Sequence, residues 1–528
     1  MFGKVWVKHY DPGVRESLEY PDFPLTAFLL KSAARFPQHA CLEYLGKEFS
    51  YAQVLDSSRC LAAGLLQMGL AQGDAVGLML PNTPEFVMAY YGILFAGAIV
   101  VPLNPAFPLA ELKEQCRRAH IKAVIAEIER GDIARRLKQE GFCHSLLLVQ
   151  NESNEVLQSE KDVYSFQQMI QTSSVFDLPA SIDQKTTAVY QFSGGTTGTP
   201  KVIQASHRNL VANTLQFKEW LVNLCEGQEH FLAAIPLTHV YGMVIALNVG
   251  IASGATLHLI REGRDTEKIV RTIQSRSISF FPAVPAIFHS INLHPEVRAG
   301  KIDLHSIKAC ISGSAPLPEE VRKEFERLTG GSLVEGYGLS EAPTATHCNP
   351  ILGERRSHSI GLPLPDVDCR LLPLTGYPDG EGELLIKSPQ VMEGYLENAK
   401  ETAATIVDGW LHTGDIARMD AEGYFALVGR KKELIKVGGF QVWPNEVEEV
   451  VRRFPGVLDV AVKGIPDLAK GEKVAAWIVT REGSELDTEK LIAFCRNELV
   501  HYKVPKEIKI LTTLPRSAVG KVLKHQLK

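Results

Sequence analysis

A repeated alternation of short apolar runs and helical stretches most limits the folds open to this chain. Residues 74–80, 99–103, 122–125 and 145–149 are short runs rich in apolar residues. Helical periodicity occurs between such runs, for example over residues 86–97. Strands alternating with helices are typical of βαβ units, which build a parallel sheet with helices on both faces. We therefore predict an α/β fold.

The alternation returns between residues 254 and 311 and changes character near residue 358. From about 358 to 428, turn-rich segments and short strands predict an antiparallel, β-rich subdomain. The junction at residues 429–433 is charged and reads as an exposed linker. A final α+β piece is predicted from there to residue 528.

Local signals add three smaller predictions. Gly46 separates two short alternating runs and predicts a hairpin. Ser50 is the predicted N-cap of a helix that runs to about Met68. Residues 150–186 are polar and weakly periodic, which predicts a surface connection.

A loop poor in side chains follows the predicted strand at residues 187–192. Residues 192–201 read F-S-G-G-T-T-G-T-P-K. Glycine permits positive φ and close approach, so successive backbone N–H groups can form an anion-binding concavity, and threonine hydroxyls add donors. A polyphosphate with Lys201 as a point charge suits this loop. A flexible surface linker is the alternative, because Gly/Ser/Thr clusters are common in linkers.

Composition excludes several classes of protein. The 528 residues are 45% hydrophobic and 22% charged, with a net charge of −5. The chain thus lacks the excess of basic residues that is typical of nucleic-acid-binding proteins. The nine cysteines include no C-x-x-C pair, which favours a reducing compartment without a zinc ribbon. No signal peptide is recognisable, and we expect a cytoplasmic protein. The uncharged runs 86–103 and 235–260 are long enough to span a bilayer. They are interrupted by Gly and Pro, so we predict a buried helix followed by a buried strand in each.

Four further stretches carry chemically suggestive residues. Residues 335–341 (E-G-Y-G-L-S-E) place an aromatic ring between glycines, beside carboxylates that suit Mg²⁺. Residues 409–415 end in an aspartate whose oxygens can accept both ribose hydroxyls. Residues 429–439 cluster cations before paired glycines, and residues 515–521 end in a lysine on a glycine-hinged loop. Taken singly, these stretches have plainer interpretations: a tight turn, an Asx turn, a solvated basic patch and a frayed tail.

Together and in this order, the five motifs resemble those of the adenylate-forming superfamily of acyl-CoA synthetases, aryl-CoA ligases, luciferases and peptide-synthetase adenylation domains. The resemblance extends from about Leu25 to Lys521. It implies a large N-terminal domain, residues 1–429, with two α/β subdomains and the β-rich subdomain. It also implies a hinge at residues 430–432 and a small mobile α+β lid at residues 433–528. The implied reaction joins a carboxylate to ATP, releases pyrophosphate, and passes the acyl group from AMP to coenzyme A.

The resemblance also implies roles for single residues. The phosphate loop comprises Ser193, Gly194, Gly195, Thr196, Thr197, Gly198, Thr199 and Lys201. The nucleotide and acyl sites include Gly313, Ser314, Ala315, Glu335, Gly336, Tyr337 and Gly338, with Tyr337 stacked on adenine. The remaining nucleotide contacts are Ser340 to the α-phosphate, Asp415 and Arg430 to the ribose, and Glu341 with Thr196 to Mg²⁺.

Residues implied for catalysis and domain motion lie mostly near the C-terminus. Lys521 serves adenylation, and His239 lies beside the acyl carboxylate. Lys436 with Gly438 and Gly439 serves thioester formation, and Lys432 is the hinge residue. Because a carboxylic acid is already ionised at neutral pH, the first step needs charge stabilisation and positioning and no general base.

The resemblance is strongest to bacterial fatty acid–CoA ligases, so we expect a medium- or long-chain fatty acid as substrate. An aryl-acid CoA ligase or an acyl-carrier-protein ligase is the alternative within the superfamily. Gly194 stands where serine is usual and Val202 where glycine is common, and residues 236–242 lack the aspartate of amino-acid adenylation domains. A phosphotransferase is disfavoured because G-K-[ST] is absent; a non-catalytic nucleotide-binding protein is the other alternative. Peripheral membrane contact stays open, as does the choice between monomer and homodimer.

Overall fold

The apolar runs of the sequence form the central strands of two large sheets. The structure, a computed structural model, describes residues 4–150, 160–172, 178, 181–193, 200–374, 378–468, 470–481, 483–517 and 520–528. The strands in this part of the chain are β1 (Ala40–Tyr44), β2 (Lys47–Ser50), β3 (Ala75–Met79), β4 (Ile99–Pro102), β5 (Ile121–Glu127), β6 (Ser145–Val149), β7 (Val163–Ser165), β8 (Thr187–Phe192), β9 (Val202–Ser206), β10 (His230–Ala233), β11 (Thr256–Leu259), β12 (Phe280–Ala283), β13 (Ala309–Ser312), β14 (Ser332–Leu339), β15 (Ala342–Cys348), β16 (Leu362–Pro363), β17 (Asp368–Pro373), β18 (Glu381–Lys387), β19 (Gly394–Tyr395), β20 (Ile406–Val407), β21 (Trp410–Met419), β22 (Phe425–Arg430), β23 (Ile435–Val437), β24 (Phe440–Val442), β25 (Val457–Asp467), β26 (Gly471–Thr480) and β27 (Glu507–Leu511).

Helices follow many of these strands along the chain. They are α1 (Ala27–Arg35), α2 (Tyr51–Gln67), α3 (Pro84–Phe95), α4 (Leu109–Arg118), α5 (Gly131–Gln139), α6 (Phe166–Thr172), α7 (His207–Trp220), α8 (Val249–Ala252), α9 (Thr266–Arg276), α10 (Pro285–Leu293), α11 (Pro295–Arg298), α12 (Glu319–Thr329), α13 (Ala399–Thr405), α14 (Pro444–Arg452) and α15 (Thr488–Glu498). A π-helical segment, Gly242–Asn248, precedes α8. Ser50 caps α2 through a reciprocal pair of hydrogen bonds with Gln53, which confirms the predicted helix start.

The first sheet has the strand order β19-β9-β8-β4-β3-β5-β6-β7. Strands β3 to β8 run parallel, and β9 and β19 add antiparallel strands at one end. Every residue of β3 is buried, as expected for a strand covered on both faces by helices. The predicted alternation of strands and helices is therefore confirmed.

The second sheet has the order β16-β15-β14-β13-β12-β10-β11-β1-β2. Its central strands are parallel, whereas β1 and β2 form the predicted hairpin at one end. Leu45 and Gly46 both have positive φ at the turn, as two-residue hairpins of the commonest type require. At the other end, β14, β15 and β16 are antiparallel, and a tight turn of two residues joins β14 to β15.

Two smaller sheets complete the fold. Strands β17, β18, β20, β21 and β22 form the antiparallel sheet that was predicted for the β-rich subdomain. Strands β23 to β27 form a mixed sheet near the C-terminus, packed with α14 and α15. This part has its own apolar core, which includes Val447, Ile478 and Leu491. The fold is thus a large N-terminal α/β region followed by a small α+β region.

One sequence prediction is wrong where the structure describes it. Within residues 150–186, Val163–Ser165 pairs in parallel with β6, and α6 follows it at once. Phe166 and Met169 are buried in the core beneath this helix. These two apolar side chains are too few to predict a helix from the periodicity of the sequence, although their burial anchors α6 to the core. Residues 151–159, 173–177, 179 and 180 lie outside the described part of the chain.

The two long uncharged runs are divided between elements, as predicted. Residues 86–103 contribute α3 and then β4, and residues 235–260 contribute the π-helical segment, α8 and β11. Among the described residues, no helix combines the length and the apolar character that crossing a bilayer requires.

Candidate active site

The glycine-rich loop joins β8 to β9, and its neck is closed by hydrogen bonds. The Ser193 N–H donates to the Lys201 carbonyl oxygen at 3.0 Å, and the Lys201 N–H donates to Ser193 Oγ at 3.2 Å. The predicted phosphate-binding residues Gly194, Gly195, Thr196, Thr197, Gly198 and Thr199 lie outside the described residues. These two hydrogen bonds hold Ser193 and Lys201 next to each other at the two ends of the loop.

Lys201 is the first cation of the site, and two residues that the sequence did not single out hold it. Its ammonium forms an ion pair with Glu401 and lies 4.7 Å from the ring centroid of Tyr395. The Tyr395 hydroxyl donates to Glu341 Oε1 at 3.0 Å. The cation implied for phosphate and the carboxylate implied for Mg²⁺ are therefore linked through one tyrosine.

Tyr337, Asp415 and Arg430 form a second cluster. The Tyr337 hydroxyl donates to Asp415 Oδ2 at 2.6 Å, and Arg430 Nε lies 2.8 Å from Asp415 Oδ1. Asp415 and Arg430 are cross-strand partners on β21 and β22. Both carboxylate oxygens of the buried Asp415 are thereby oriented, and the structure brings these three predicted residues together. The cluster thus contains one carboxylate, Asp415, and one positively charged side chain, Arg430.

The β14–β15 turn carries the remaining predicted nucleotide residues. Ser340, half-buried, lies in the turn itself. A Cβ at Gly338 would lie 1.4 Å from the Thr344 carbonyl oxygen, so no side chain fits there. A Cβ at Gly336 would lie 3.3 Å from the His347 carbonyl oxygen. The backbone at Tyr337 is therefore pressed directly against β15.

Glu335 lies at the start of this turn segment and accepts a hydrogen bond from the Leu317 N–H at 3.2 Å. Burial raises its pKa to about 8, and the Leu317 hydrogen bond opposes the rise. This carboxyl is therefore largely protonated at neutral pH and able to donate a hydrogen bond.

The acyl side of the site is built around the end of β13. Gly313 is buried, and a Cβ there would approach the Tyr241 ring to 3.1 Å. Ser314 follows with a φ of 70°, and the exposed Ser314 and half-buried Ala315 continue the loop. The Tyr241 hydroxyl donates to the Ile311 carbonyl oxygen at 2.9 Å. A large ring thus fills the space beside the glycine.

His239 precedes the π-helical segment, and its ring orientation is fixed by a backbone contact. The Tyr241 N–H donates to His239 Nδ1 at 3.2 Å. Burial, together with the positive charge of Lys521, lowers the His239 pKa to about 4. The ring is therefore neutral at pH 7, and because Nδ1 accepts, its proton resides on Nε2.

Lys521 extends from the C-terminal region into this site. Burial and the positive charge of Arg430 lower its pKa, the carboxylates of Asp415, Glu433 and Glu341 oppose that effect, and the resulting pKa is about 8. Among the described residues, no carboxylate forms a direct ion pair with its ammonium. The main chain of Lys521 is held by Ser517, whose N–H donates to the Lys521 carbonyl oxygen at 2.8 Å. Two clusters of the N-terminal region therefore act on one lysine of the C-terminal region.

The structure does not bring the predicted thioester-forming residues to this cluster. The Lys436 side chain is exposed, and its N–H donates to Glu472 Oε2 at 2.7 Å. Gly438 and Gly439 form an exposed turn with positive φ, and the Gly438 N–H donates to the Lys470 carbonyl oxygen at 2.8 Å. Their described contacts all lie within the C-terminal region.

The predicted hinge residue Lys432 is exposed, within a short 3₁₀ helix, Lys431–Glu433. Neighbouring side chains attach this helix to both regions. Lys431 Nζ lies 3.1 Å from Glu383 Oε2 in the β-rich sheet. Glu433 Oε2 lies 3.1 Å from Lys524 Nζ near the C-terminus. One ion pair thus joins this helix to the β-rich sheet, and another joins it to the C-terminal region.

The Glu341 carboxylate suits a magnesium ion whose other ligands would come from phosphate and water. Within the described part of the chain, no three or more His, Cys, Asp or Glu side chains form a metal-binding cluster. Mg²⁺ commonly takes one or two carboxylates and completes its shell with phosphates and water. A single carboxylate, oriented by the Tyr395 hydroxyl and near the Lys201 ammonium, suits that ion, and a site made of protein ligands alone is not needed.

Tyr395 and Glu401 are the functional candidates that sequence reasoning missed. Asn398 accepts from the Glu401 N–H at 3.2 Å, so the N-cap signal of α13 was visible in the sequence. That signal predicts a helix start, but it says nothing about the contact of Glu401 with Lys201, which is 200 positions away.

Comparison with known proteins agrees with this geometry. The model of the AMP-binding enzyme family matches residues 29–396, and that of the AMP-binding enzyme C-terminal domain matches residues 446–521. A long-chain-fatty-acid–CoA ligase of Bacillus subtilis (strain 168) is 37% identical over 99% of this chain and 97% of its own length. One from Escherichia coli O6:H1 is 32% identical over 99% and 98%. The crystal structure of ATP-bound MatB from Rhodopseudomonas palustris is 27% identical, with a TM-score of 0.86 over 96% of this chain and 98% of that one.

Proposed function

Because this chain belongs to the family of AMP-binding enzymes, we propose that it is an AMP-forming acyl-CoA synthetase. A carboxylate attacks the α-phosphate of ATP to give acyl-AMP and pyrophosphate, and the thiol of coenzyme A then displaces AMP. The observation that carries the proposal is the meeting of Lys521 with the Tyr337–Asp415–Arg430 cluster and with Glu341. Such a site holds a nucleotide and surrounds its phosphates with cations.

In the first step, the difficulty is to bring an anionic acid onto an anionic nucleotide. Lys201 and Lys521 contribute positive charge, and the loop backbone contributes N–H donors. Tyr337 stacks on the adenine and Asp415 accepts hydrogen bonds from the ribose hydroxyls. A pKa of about 8 leaves Lys521 charged at neutral pH.

The acid is oriented beside the end of β13. His239 is neutral with its proton on Nε2, so it donates a hydrogen bond to the carboxylate without removing its charge. Gly313 allows the acyl group to pass close to the backbone. His239 is therefore a positioning donor and takes no proton from the acid.

Mg²⁺ would be held by Glu341 and the phosphates of ATP, and it would neutralise the charge that develops on the departing pyrophosphate. Thr196 is the second proposed ligand. Within the protein, Glu341 is oriented by the Tyr395 hydroxyl, which keeps one carboxylate oxygen in place.

In the second step, the lid carries Lys521 away from the nucleotide and presents Lys436 with the Gly438–Gly439 turn. The proposed boundaries are an N-terminal domain at residues 1–429, a hinge at 430–432 around Lys432, and a lid at 433–528. The hinge motion is needed because the thiol of coenzyme A cannot approach the acyl-AMP while Lys521 occupies the site.

The proposed acid is a medium- or long-chain fatty acid. The printed names of the Bacillus subtilis and Escherichia coli relatives support a fatty acid. The same names support coenzyme A as the acceptor. The proposed location is the cytoplasm, as expected from the sequence. An aryl acid, or an acyl-carrier protein as acceptor, is the alternative.

An acid panel tests the proposal. Purified enzyme with ATP, Mg²⁺ and coenzyme A is given aliphatic acids of increasing length and a set of aryl acids, and pyrophosphate and AMP are measured. Release of pyrophosphate and AMP that depends on a fatty acid is the expected result. Formation of ADP, or release of pyrophosphate without dependence on any acid, contradicts the proposal.

A further inference from the structure

The partner of Lys201 is a carboxylate that stands where a phosphate is proposed to bind. Lys201 forms an ion pair with Glu401 at the start of α13. Their side chains are 31% and 38% exposed, so the pair lies at the solvent boundary. The Lys201 hydrogen bond lowers the pKa of Glu401, which keeps the carboxylate ionised.

Tyr395 lies between this ion pair and the carboxylate proposed to bind the metal. Its ring centroid is 4.7 Å from Lys201 Nζ, and its hydroxyl donates to Glu341 Oε1 at 3.0 Å. The side chain is 5% exposed. The face of the Tyr395 ring thus contacts the Lys201 ammonium, and its hydroxyl donates a hydrogen bond to the Glu341 carboxylate.

The backbone makes this arrangement rigid. Tyr395 pairs with Ile203 across β19 and β9, and the Leu396 N–H donates to the Val202 carbonyl oxygen at 2.9 Å. The Tyr395 N–H donates to Thr402 Oγ1 at 2.9 Å, in the first turns of α13. The strand that follows the phosphate loop, Tyr395 and the helix that carries Glu401 therefore form one connected unit.

We infer that Glu401 is the counter-ion of Lys201 in the nucleotide-free enzyme, that an incoming polyphosphate displaces it, and that Tyr395 positions both Lys201 and Glu341. The inference rests on the proposed function, because it takes Lys201 as a ligand of the β- and γ-phosphates. It adds a step of charge exchange: Lys201 leaves a carboxylate and joins a phosphate while staying on the face of the same ring.

The exchange should affect only ligands that reach Lys201. Half-exposed ion pairs are weak, so loss of the Glu401 charge should change affinity by about two- to fivefold. ATP and inorganic pyrophosphate carry the phosphates that compete with Glu401. AMP lacks them, and its affinity should stay the same.

The first test is equilibrium binding of ATP, pyrophosphate and AMP to Glu401→Gln, measured by calorimetry. We expect ATP and pyrophosphate to bind about two- to fivefold more tightly than to the wild type, with AMP unchanged. Glu397→Gln is the matched control, because Glu397 lies on the same connection but pairs with His120 at 3.1 Å. Unchanged or weaker binding of ATP and pyrophosphate overturns the inference. So does an equal gain for AMP or in the control, since either result indicates a general effect of net charge.

The second test separates the two contacts of Tyr395. Tyr395→Phe keeps the ring beside Lys201 and removes the hydrogen bond to Glu341. We expect the Mg²⁺ concentration for half-maximal ATP–pyrophosphate exchange to rise several-fold, while metal-free ATP affinity stays at the wild-type value. An unchanged Mg²⁺ requirement overturns the positioning role.

The proposed function has a separate criterion. It fails if the wild type shows no acid-dependent exchange, whatever the binding measurements give.

Discussion

At the scale of single residues, the charge of Lys521 depends on its surroundings more than on its own chemistry. A free lysine has a pKa well above neutrality. Burial and the positive charge of Arg430 lower the pKa of Lys521 to about 8. The lysine is therefore charged at pH 7 and loses its charge as the pH rises through about 8.

Lys521→Ala should reduce acid-dependent ATP–pyrophosphate exchange by about 10²–10³-fold, the usual cost of removing a group that stabilises transition-state charge. Formation of thioester from supplied acyl-AMP and coenzyme A should stay largely intact, because Lys521 is proposed to leave the site in that step. Measuring both half-reactions side by side checks the division. Equal loss in both would refute it.

The two half-reactions should also respond to pH in opposite directions. In the wild type, kcat/KM for the exchange reaction should fall above pH 8 as Lys521 loses its proton. Thioester formation from acyl-AMP should rise over the same range, because more of the thiol becomes thiolate. A pH series of the two assays checks this, and an exchange rate that stays level to pH 9.5 contradicts the role of a charged Lys521.

At the scale of elements, the β14–β15 hairpin holds Tyr337 by a backbone contact without room for a side chain. Gly338 meets the Thr344 carbonyl oxygen, and the bulges around it shift the register of the two strands. Tyr337, next to this irregularity, donates a hydrogen bond to Asp415, which lies in another sheet. Gly338 therefore helps to position Tyr337 in the proposed nucleotide site.

Gly338→Ala should destabilise the protein by about 3 kcal/mol or more, because the strands must separate to admit the methyl group. Gly336→Ala is the matched control on the same strand, and its 3.3 Å approach predicts a loss of about 1 kcal/mol or less. Thermal and denaturant unfolding of the two variants measure the difference. Similar midpoints for both would show that β15 moves aside easily.

At the scale of the whole molecule, the C-terminal region places Lys521 in the site. Gly520 lies against Val284 at the start of α10, where a Cβ on the glycine would be 3.9 Å from Val284 Cβ. That separation is within the range that a disulfide bridges. The two regions can therefore be locked together in the arrangement seen here.

Val284→Cys combined with Gly520→Cys should form a disulfide on oxidation. The oxidised enzyme should keep ATP–pyrophosphate exchange and lose thioester formation, because the disulfide prevents the proposed rotation of the C-terminal region about residues 430–432. Reduction should restore thioester formation. The positive φ of Gly520 makes a side chain there somewhat strained, so exchange activity is measured for both redox states.

Val284→Cys alone, oxidised in the same way, is the control and should keep both half-reactions. If the locked enzyme makes acyl-CoA at the rate of the reduced enzyme, no movement of the C-terminal region is needed.

Local patterns in the sequence were enough to predict the fold class and the alternation of strands and helices in the large N-terminal region. Runs such as Ala75–Met79 and Thr187–Phe192 form strands in which most apolar side chains are buried. The spacing of these apolar residues along the chain is a local property, so it can be read from the sequence. The exception at Phe166 shows the limit of such patterns, since its burial depends on the neighbouring sheet.

The sequence by itself determined the α/β architecture, the family resemblance and the identities of most candidate site residues, because motif order and spacing are properties of the chain. Only the tertiary structure decided which side chains face one another. The Tyr337–Asp415 hydrogen bond, the Glu401 partner of Lys201 and the lowered pKa of Lys521 all join residues far apart in the chain. Such contacts depend on how sheets and regions pack, and a charge or a pKa is set by whatever that packing places nearby.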